Sequence, residues 1–274
     1  MANLTKYEKS QVSLIEAWEN KEPSVVSSVI GTVTKPISWL TGKMIPDAVM
    51  EGALNFSNAA AGFFTDEDDI RRDGHVGNIS ELRHKDLQLS DKLADEVHNW
   101  AIGAAAATGA GTGVAGVAGI IADVPALITM SLRTIQKIGL CYGYRTDNEM
   151  EKSFVRGILS ATSSNKMKAK LETLFALRVT YNLIEKTTWK KMGEIAAQQA
   201  LQQELGREAT VISIKALAKQ LGINITKRSA LKAIPIVGAA VGAVVSGDFL
   251  RDVGYAAIRT YQKRWLADNG KLKF

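Results

Sequence analysis

The chain has 274 residues, 46% of them hydrophobic and 23% charged, with a net charge of +6, so it can bury a core and is not of the disordered class. Its one cysteine, Cys141, excludes an intramolecular disulfide, fits a reducing compartment and reads as a small buried hydrophobe. Stretches rich in Ala, Leu, Lys, Glu and Gln, without alternating β-branched runs and hairpin turns, predict an all-α fold. No internal linker or fixed-period repeat is evident. The expectation is one domain over 1–274, with N-terminal helices in 1–65, an acidic loop at 66–79 and a core in 80–274.

In chain order, Thr5 and Glu8 have capping-box spacing and predict a first helix over residues 4–20. The segment has no apolar leader core, so a secretory signal is not expected. Pro23, Pro36 and Pro46 should divide residues 22–47 into short helical pieces. Residues 66–79 are polar and read as a loop, and 80–100 as a helix. A Gly/Ala-rich run then covers 101–122. Asp123 has the place of an N-cap, with Pro125 in the first turn, for a helix ending near Gly143. Helices are expected at 148–163 and 166–206, and a last one from about Asp248 to Asp268.

The run at 101–122 carries no charge and contains six Gly and nine Ala. Gly111, Gly113 and Gly116 match G-x-G-x-x-G, but no strand precedes them and no acidic residue lies between Asp123 and Asp147, so a dinucleotide loop is rejected. A phosphate loop would need a Lys that the run lacks. The run is long enough to cross a bilayer, yet Gly and Ala bury little apolar area, so a lone spanning helix is not expected. Small residues do let helix backbones approach closely. Gly109 and Gly113, and likewise Gly238 and Gly242, have G-x-x-x-G spacing. With Gly116 they predict two close-packed helical segments, either ordinary core or an element that docks into lipid.

Charge is uneven. From Gly206 to Phe274 there are twelve Lys and Arg against four Asp and Glu; from Asp66 to Asn99 the acids lead ten to five. On the last helix Phe249, Leu250, Val253, Ala257, Tyr261 and Trp265 share one half of a helical wheel. Arg251, Arg259 and Lys263 share the other, and Arg264 is an exception. Basic and amphipathic is a membrane-surface pattern, and it is also the pattern of a helix packed on a core. Lys227, Arg228, Lys232, Arg251, Arg259, Lys263, Arg264 and Trp265 are the candidate lipid contacts.

No catalytic pattern stands out. Glu81 with His84 and Asp95 with His98 have metal-ligand spacing, but on one helix the two pairs cannot converge, so no metal is expected. G-x-S-x-G is absent, Ser163 and Lys166 lack companion motifs, and Cys141 has no His nearby in sequence. No cofactor is expected. Asp123 and Arg133 are read as structural polar residues, Arg133 needing a carboxylate or the surface because its helix is largely apolar.

Three separated segments, "DKLADEVHNWAIGAAAATGAGTGVAGVAG" at 91–119, "ADVPALITMSLRTIQKIGLCYGY" at 122–144 and "SALKAIPIVGAAVGAVVSGDFLRDVGYAAIRTYQKRWL" at 229–266, resemble the bacterial EcsC family in order. "PISWLTGKMIPDAV" at 36–49 extends the resemblance more weakly. Asp91, Trp100, Gly113, Gly116, Asp123, Pro125, Arg133, Tyr142, Gly143, Pro235, Gly238, Gly242 and Gly254 match the family's pattern; Ser246–Asp248 departs from it. The resemblance implies a helical, membrane-associated protein linked to an ABC-exporter operon, with no settled activity and no catalytic motif to carry over.

The expected function is a non-enzymatic, peripheral membrane-associated or lipid-binding helical protein, accessory to membrane transport. Its expected partners are an anionic membrane surface or lipid and a membrane-transport protein, with nucleic acid not expected. Its expected location is the cytoplasm, at the inner face of the membrane. Two alternatives stand beside it: a protein-interaction accessory of a transporter or effector, and a lipid-related hydrolase with a site assembled from distant residues.

Overall fold

A computed structural model describes residues 4–21, 66–113, 116–163, 167–186 and 235–274. Among these the structure is all-α: α1 (Lys6–Asn20), α2 (Asp68–Asp73), a 3-10 helix (Ile79–His84), α3 (Leu87–Gly113), α4 (Gly116–Cys141), α5 (Glu149–Ser163), α6 (Met167–Lys186) and α7 (Pro235–Asp268).

Helix α7 is the axis of the assembly. It packs most extensively along α3, and also meets α4, α1 and α5, while α5 packs on α6. Helices α3 and α7 run antiparallel: Gln262 reaches Asp91, His98 reaches Arg251, and Gly247 lies beside Ile102 and Ala106. Helix α4 returns beside α3 and brings Tyr142 back to Asp91.

Local chemistry sets the helix ends. Thr5 forms the expected capping box, its hydroxyl accepting from Glu8 N at 3.1 Å and the Glu8 carboxylate accepting from Thr5 N at 2.8 Å. Asp86 caps α3 by accepting from Leu89 N at 2.7 Å. At the end of α4, Tyr144 N donates to Gly139 O and Gly143 N to Leu140 O, both at 2.9 Å. This closure needs a left-handed residue, and Gly143 supplies it with φ of 85°.

Several boundaries differ from the sequence reading. Residues 68–73, read as loop, form α2, with Asp68 and Asp69 in its first turn and Arg71 and Arg72 in its last, as the helix dipole favours. The Gly/Ala run is not one element, for α3 ends at Gly113 and α4 begins at Gly116. Asp123 therefore lies inside α4 rather than capping it, and Pro125 is interior, where it removes one backbone hydrogen bond. The apolar length of α4 outweighs that local signal. Likewise α7 starts at Pro235, not Asp248, with proline at the first position where its missing N–H costs nothing.

The core joins Leu82, Leu93, Ile135, Ile138, Phe154, Ile158, Leu250, Val253, Tyr261 and Trp265 from several of these helices. Cys141 is fully buried as expected, and burial pushes its thiol far above the ordinary range, so it is no nucleophile at neutral pH. Tyr261 stacks with both Tyr142 and Tyr144, with ring centroids 6.1 and 5.7 Å away.

Candidate functional site

The richest polar chemistry lies where α1 crosses the core. The buried face of α1 is Glu8, Gln11, Ile15 and Trp18, at helical spacing but half polar. It is matched by polar groups beneath it. The buried Asp91 carboxylate accepts from Tyr142 Oη at 2.5 Å, Tyr7 Oη at 2.6 Å and Gln262 Nε2 at 2.7 Å. Gln11 Oε1 accepts from Gln262 Nε2 at 3.1 Å and from an Arg259 NH group at 2.8 Å; Arg259 also donates to Gln262 Oε1 at 2.7 Å. Burial raises the Asp91 carboxyl above its ordinary value, against the three hydrogen bonds and Arg259, which pull it down. Burial and the Asp91 carboxylate push both tyrosines up, so they stay protonated donors.

Around this network run ion pairs. Glu8 pairs with Lys271, and Glu19 with Lys263 at 2.6 Å. Lys170 of α6 donates to the carbonyls of Trp18 and, at 2.8 Å, Lys21, where the C-terminal end of α1 favours a cation. Elsewhere on α7, Arg264 makes a two-pronged pair with Glu151 at 2.7 and 2.6 Å, with its guanidinium 3.9 Å from the Tyr144 ring centre. Burial pulls the Arg264 group down, but the Glu151 hydrogen bonds and charge outweigh it and hold it fully ionised.

Four of the predicted lipid contacts are thus engaged internally. Arg264 is 2% exposed and locked to Glu151; Trp265 is 3% exposed and donates its indole N–H to Leu82 O at 3.0 Å. Neither reaches a lipid surface in this packing. Arg259 faces α1, and Lys263 is held by Glu19. Arg251 is exposed and pairs with Asp248 at 3.0 Å. Lys227, Arg228 and Lys232 lie outside the described residues. The amphipathic pattern of α7 was legible, but α1 covers its polar face at Arg259 and Lys263, while Arg251 stays exposed.

The helix-packing glycines Gly109, Gly113 and Gly116 lie on α3 and α4, and Gly238 and Gly242 on α7, but their surroundings lie outside the described residues. The close approach that is described falls at Gly254, where a methyl group would sit 2.2 Å from His98 Cδ2. The imidazole fills that space, and its Nε2 lies 3.0 Å from Arg251 O, so Nε2 carries the proton. Burial lowers the His98 pKa. Arg133 is half-buried on α4, and burial lowers its pKa.

The two acid–His pairs do not share one helix, because the chain breaks at Lys85 and Asp86. Glu81 caps the 3-10 helix through Asn78 N, and His84 Nδ1 lies 3.0 Å from Asn269 Oδ1. Among the described residues no group of His, Cys, Asp and Glu could hold a metal ion. No helix among them is long and apolar enough to cross a membrane.

Sequence reasoning missed a second feature. Leu171, Phe175 and Val179 on α6 are 51%, 69% and 43% exposed, and their four-residue spacing aligns them along one face. Trp100, on α3, is 73% exposed. The spacing was visible in the sequence, but nothing there said that this face is left open by the other described helices.

The protein is all-α, and among the described residues the long helix α7 is central. The EcsC protein family model matches residues 9–266, and the chain belongs to that family. It is similar to the uncharacterized protein YdbA of Bacillus subtilis (strain 168), with 26% identity over 204 residues, covering 71% of this chain and 64% of that protein. The chain thus spans less than two thirds of that relative's length. No solved structure matches it.

Proposed function

We propose that this EcsC-family protein is a peripheral membrane-associated protein that docks on anionic lipid through the outer face of α6. The observation that carries this reading is the exposed row Leu171, Phe175 and Val179. Each such side chain, moved from water into the interfacial region, contributes roughly 1.5–3 kcal/mol when fully buried. Exposed Arg178 lies on the same helix, and the net charge of +6 favours anionic headgroups. Exposed Trp100 has the amphipathic ring suited to an interface. A helix lying in the membrane plane needs no spanning segment. In this reading Lys227, Arg228, Lys232 and Arg251 supply further headgroup attraction. The protein is non-enzymatic and accessory to membrane transport at the cytoplasmic face.

The test is sedimentation with phosphatidylcholine vesicles, with and without phosphatidylglycerol, at low and high salt. Phe175→Ser should weaken binding to the anionic vesicles about tenfold while leaving thermal stability unchanged. Absence of wild-type binding under every condition would overturn the reading. Changing Arg259, Lys263 and Arg264 together is the wrong probe, since losing Arg264 strands buried Glu151.

A further inference from the structure

We propose that α1 is a detachable strap over a cationic patch of the core, and that anionic lipid takes its place on that patch. This rests on the membrane reading above and adds its regulation.

Four cations from separate stretches converge beneath α1: Lys170 of α6, Arg259 and Lys263 of α7, and Lys271 beyond it. Each is engaged by α1 or its C-cap, through the Trp18 and Lys21 carbonyls, Gln11, Glu19 and Glu8 respectively. Helix α1 thus presents carboxylates, a carboxamide oxygen and C-terminal carbonyls to cations, the kind of acceptor array that a phosphate-rich surface also presents. Its buried apolar anchors on this face are Ile15 and Trp18, with Leu4, Tyr7 and Val12 partly buried against the core. The match is incomplete: among the described residues Arg259 Nε is buried without a hydrogen-bond partner. A phosphate oxygen could accept from two guanidinium nitrogens at once, which the single Gln11 oxygen does not do.

The attachment combines these apolar contacts with ion pairs, and its ionic share weakens where many anions compete, as at a lipid surface. Lifting α1 would uncover the four cations while the α3–α7 contact, made by residues such as His98 and Gly254, stays closed. The apolar row on α6 gives the first contact, and the patch adds affinity once α1 is released.

The experiment compares the full-length protein with Glu8→Gln/Glu19→Gln and with Glu16→Gln/Glu96→Gln. Both variants remove two negative charges, but Glu16 and Glu96 are exposed and outside the contact. Gln at position 8 keeps the capping box, so the helix itself is preserved. Amide exchange is read across residues 6–20 and across α3 and α7, and binding is read on vesicles containing phosphatidylglycerol. The strap predicts that α1 exchanges about tenfold faster in the Glu8/Glu19 variant than in the control, with α3 and α7 unchanged. It also predicts roughly tenfold tighter vesicle binding than the control.

Equal α1 exchange in the two variants overturns the strap, whatever the vesicles do. Faster α1 exchange with equal vesicle affinity overturns the patch as the lipid contact while leaving the membrane reading in place. Absence of wild-type binding and of any effect at Phe175 marks failure of the membrane reading itself, and with it the lipid half of this proposal. If the Glu8/Glu19 variant loses the far-UV signal of the core, the Glu19→Lys/Lys263→Glu swap restores one ion pair at unchanged net charge. Under the strap model the swap returns α1 exchange to the wild-type rate, and failure to do so counts against it.

Discussion

Beneath α1, polar side chains are buried and matched; along the outer face of α6, apolar side chains are exposed and unmatched. The Asp91 network and the ion pairs of Lys263 and Lys271 place acceptors against donors with few atoms left over. Such burial adds little net stability, because desolvation offsets most of the attraction, but it permits one docking geometry and penalises others. The Leu171–Phe175–Val179 row does the reverse: it contributes little to the core and specifies nothing inside the molecule. The contrast teaches that the inward face of this protein is polar where a helix is held by charge. The outer face of α6 is apolar where no described helix covers it.

Mutations break the contrast in a definite order. The largest effect is expected at Arg264→Met, which leaves Glu151 buried without its partner and should cost about 3–5 kcal/mol in urea unfolding. Next is Gly254→Ala, which drives a methyl group into the His98 ring and should cost about 1–3 kcal/mol. Combining it with His98→Ala should recover part of that loss, and a purely additive pair would show that the ring is not the obstacle. Tyr142→Phe removes one donor from Asp91 and should cost about 1–3 kcal/mol. Phe175→Ser should change stability by less than about 0.5 kcal/mol, the opposite behaviour on the other face.

Asp91→Asn sharpens the comparison through pH. The folded carboxyl titrates above its unfolded value of about 3.9. Its protonated form therefore stabilises the fold below that pH, and this contribution is lost as pH rises through the higher folded value. The melting temperature of the wild type should accordingly fall relative to Asp91→Asn as pH rises from about 4 towards neutrality. A gap that does not change with pH would show that Asp91 titrates normally in the fold.

Much of this architecture could be read from single residues because it is set within one or two helical turns. The Thr5–Glu8 box, the stop near Gly143 and the helical composition act locally, and the structure shows them as read. The buried state of Cys141 followed from its apolar neighbours in the same way. Where a helix begins was less legible, since local caps compete with long apolar packing. At Asp123 the capping signal was overruled, and helix α4 runs through it.

Which partner each face meets was settled only by tertiary structure. A helical wheel separates the polar side of α7 from its apolar side, but it cannot distinguish water from the polar face of another helix. Arg259 and Lys263 look solvated in sequence and lie under α1; Arg264 and Trp265 look interfacial and are sealed inside. Conversely, Leu171, Phe175 and Val179 have the spacing of a core stripe and stand exposed. Periodicity belongs to one helix at a time, whereas burial is a property of two, and the partner comes from a distant part of the chain.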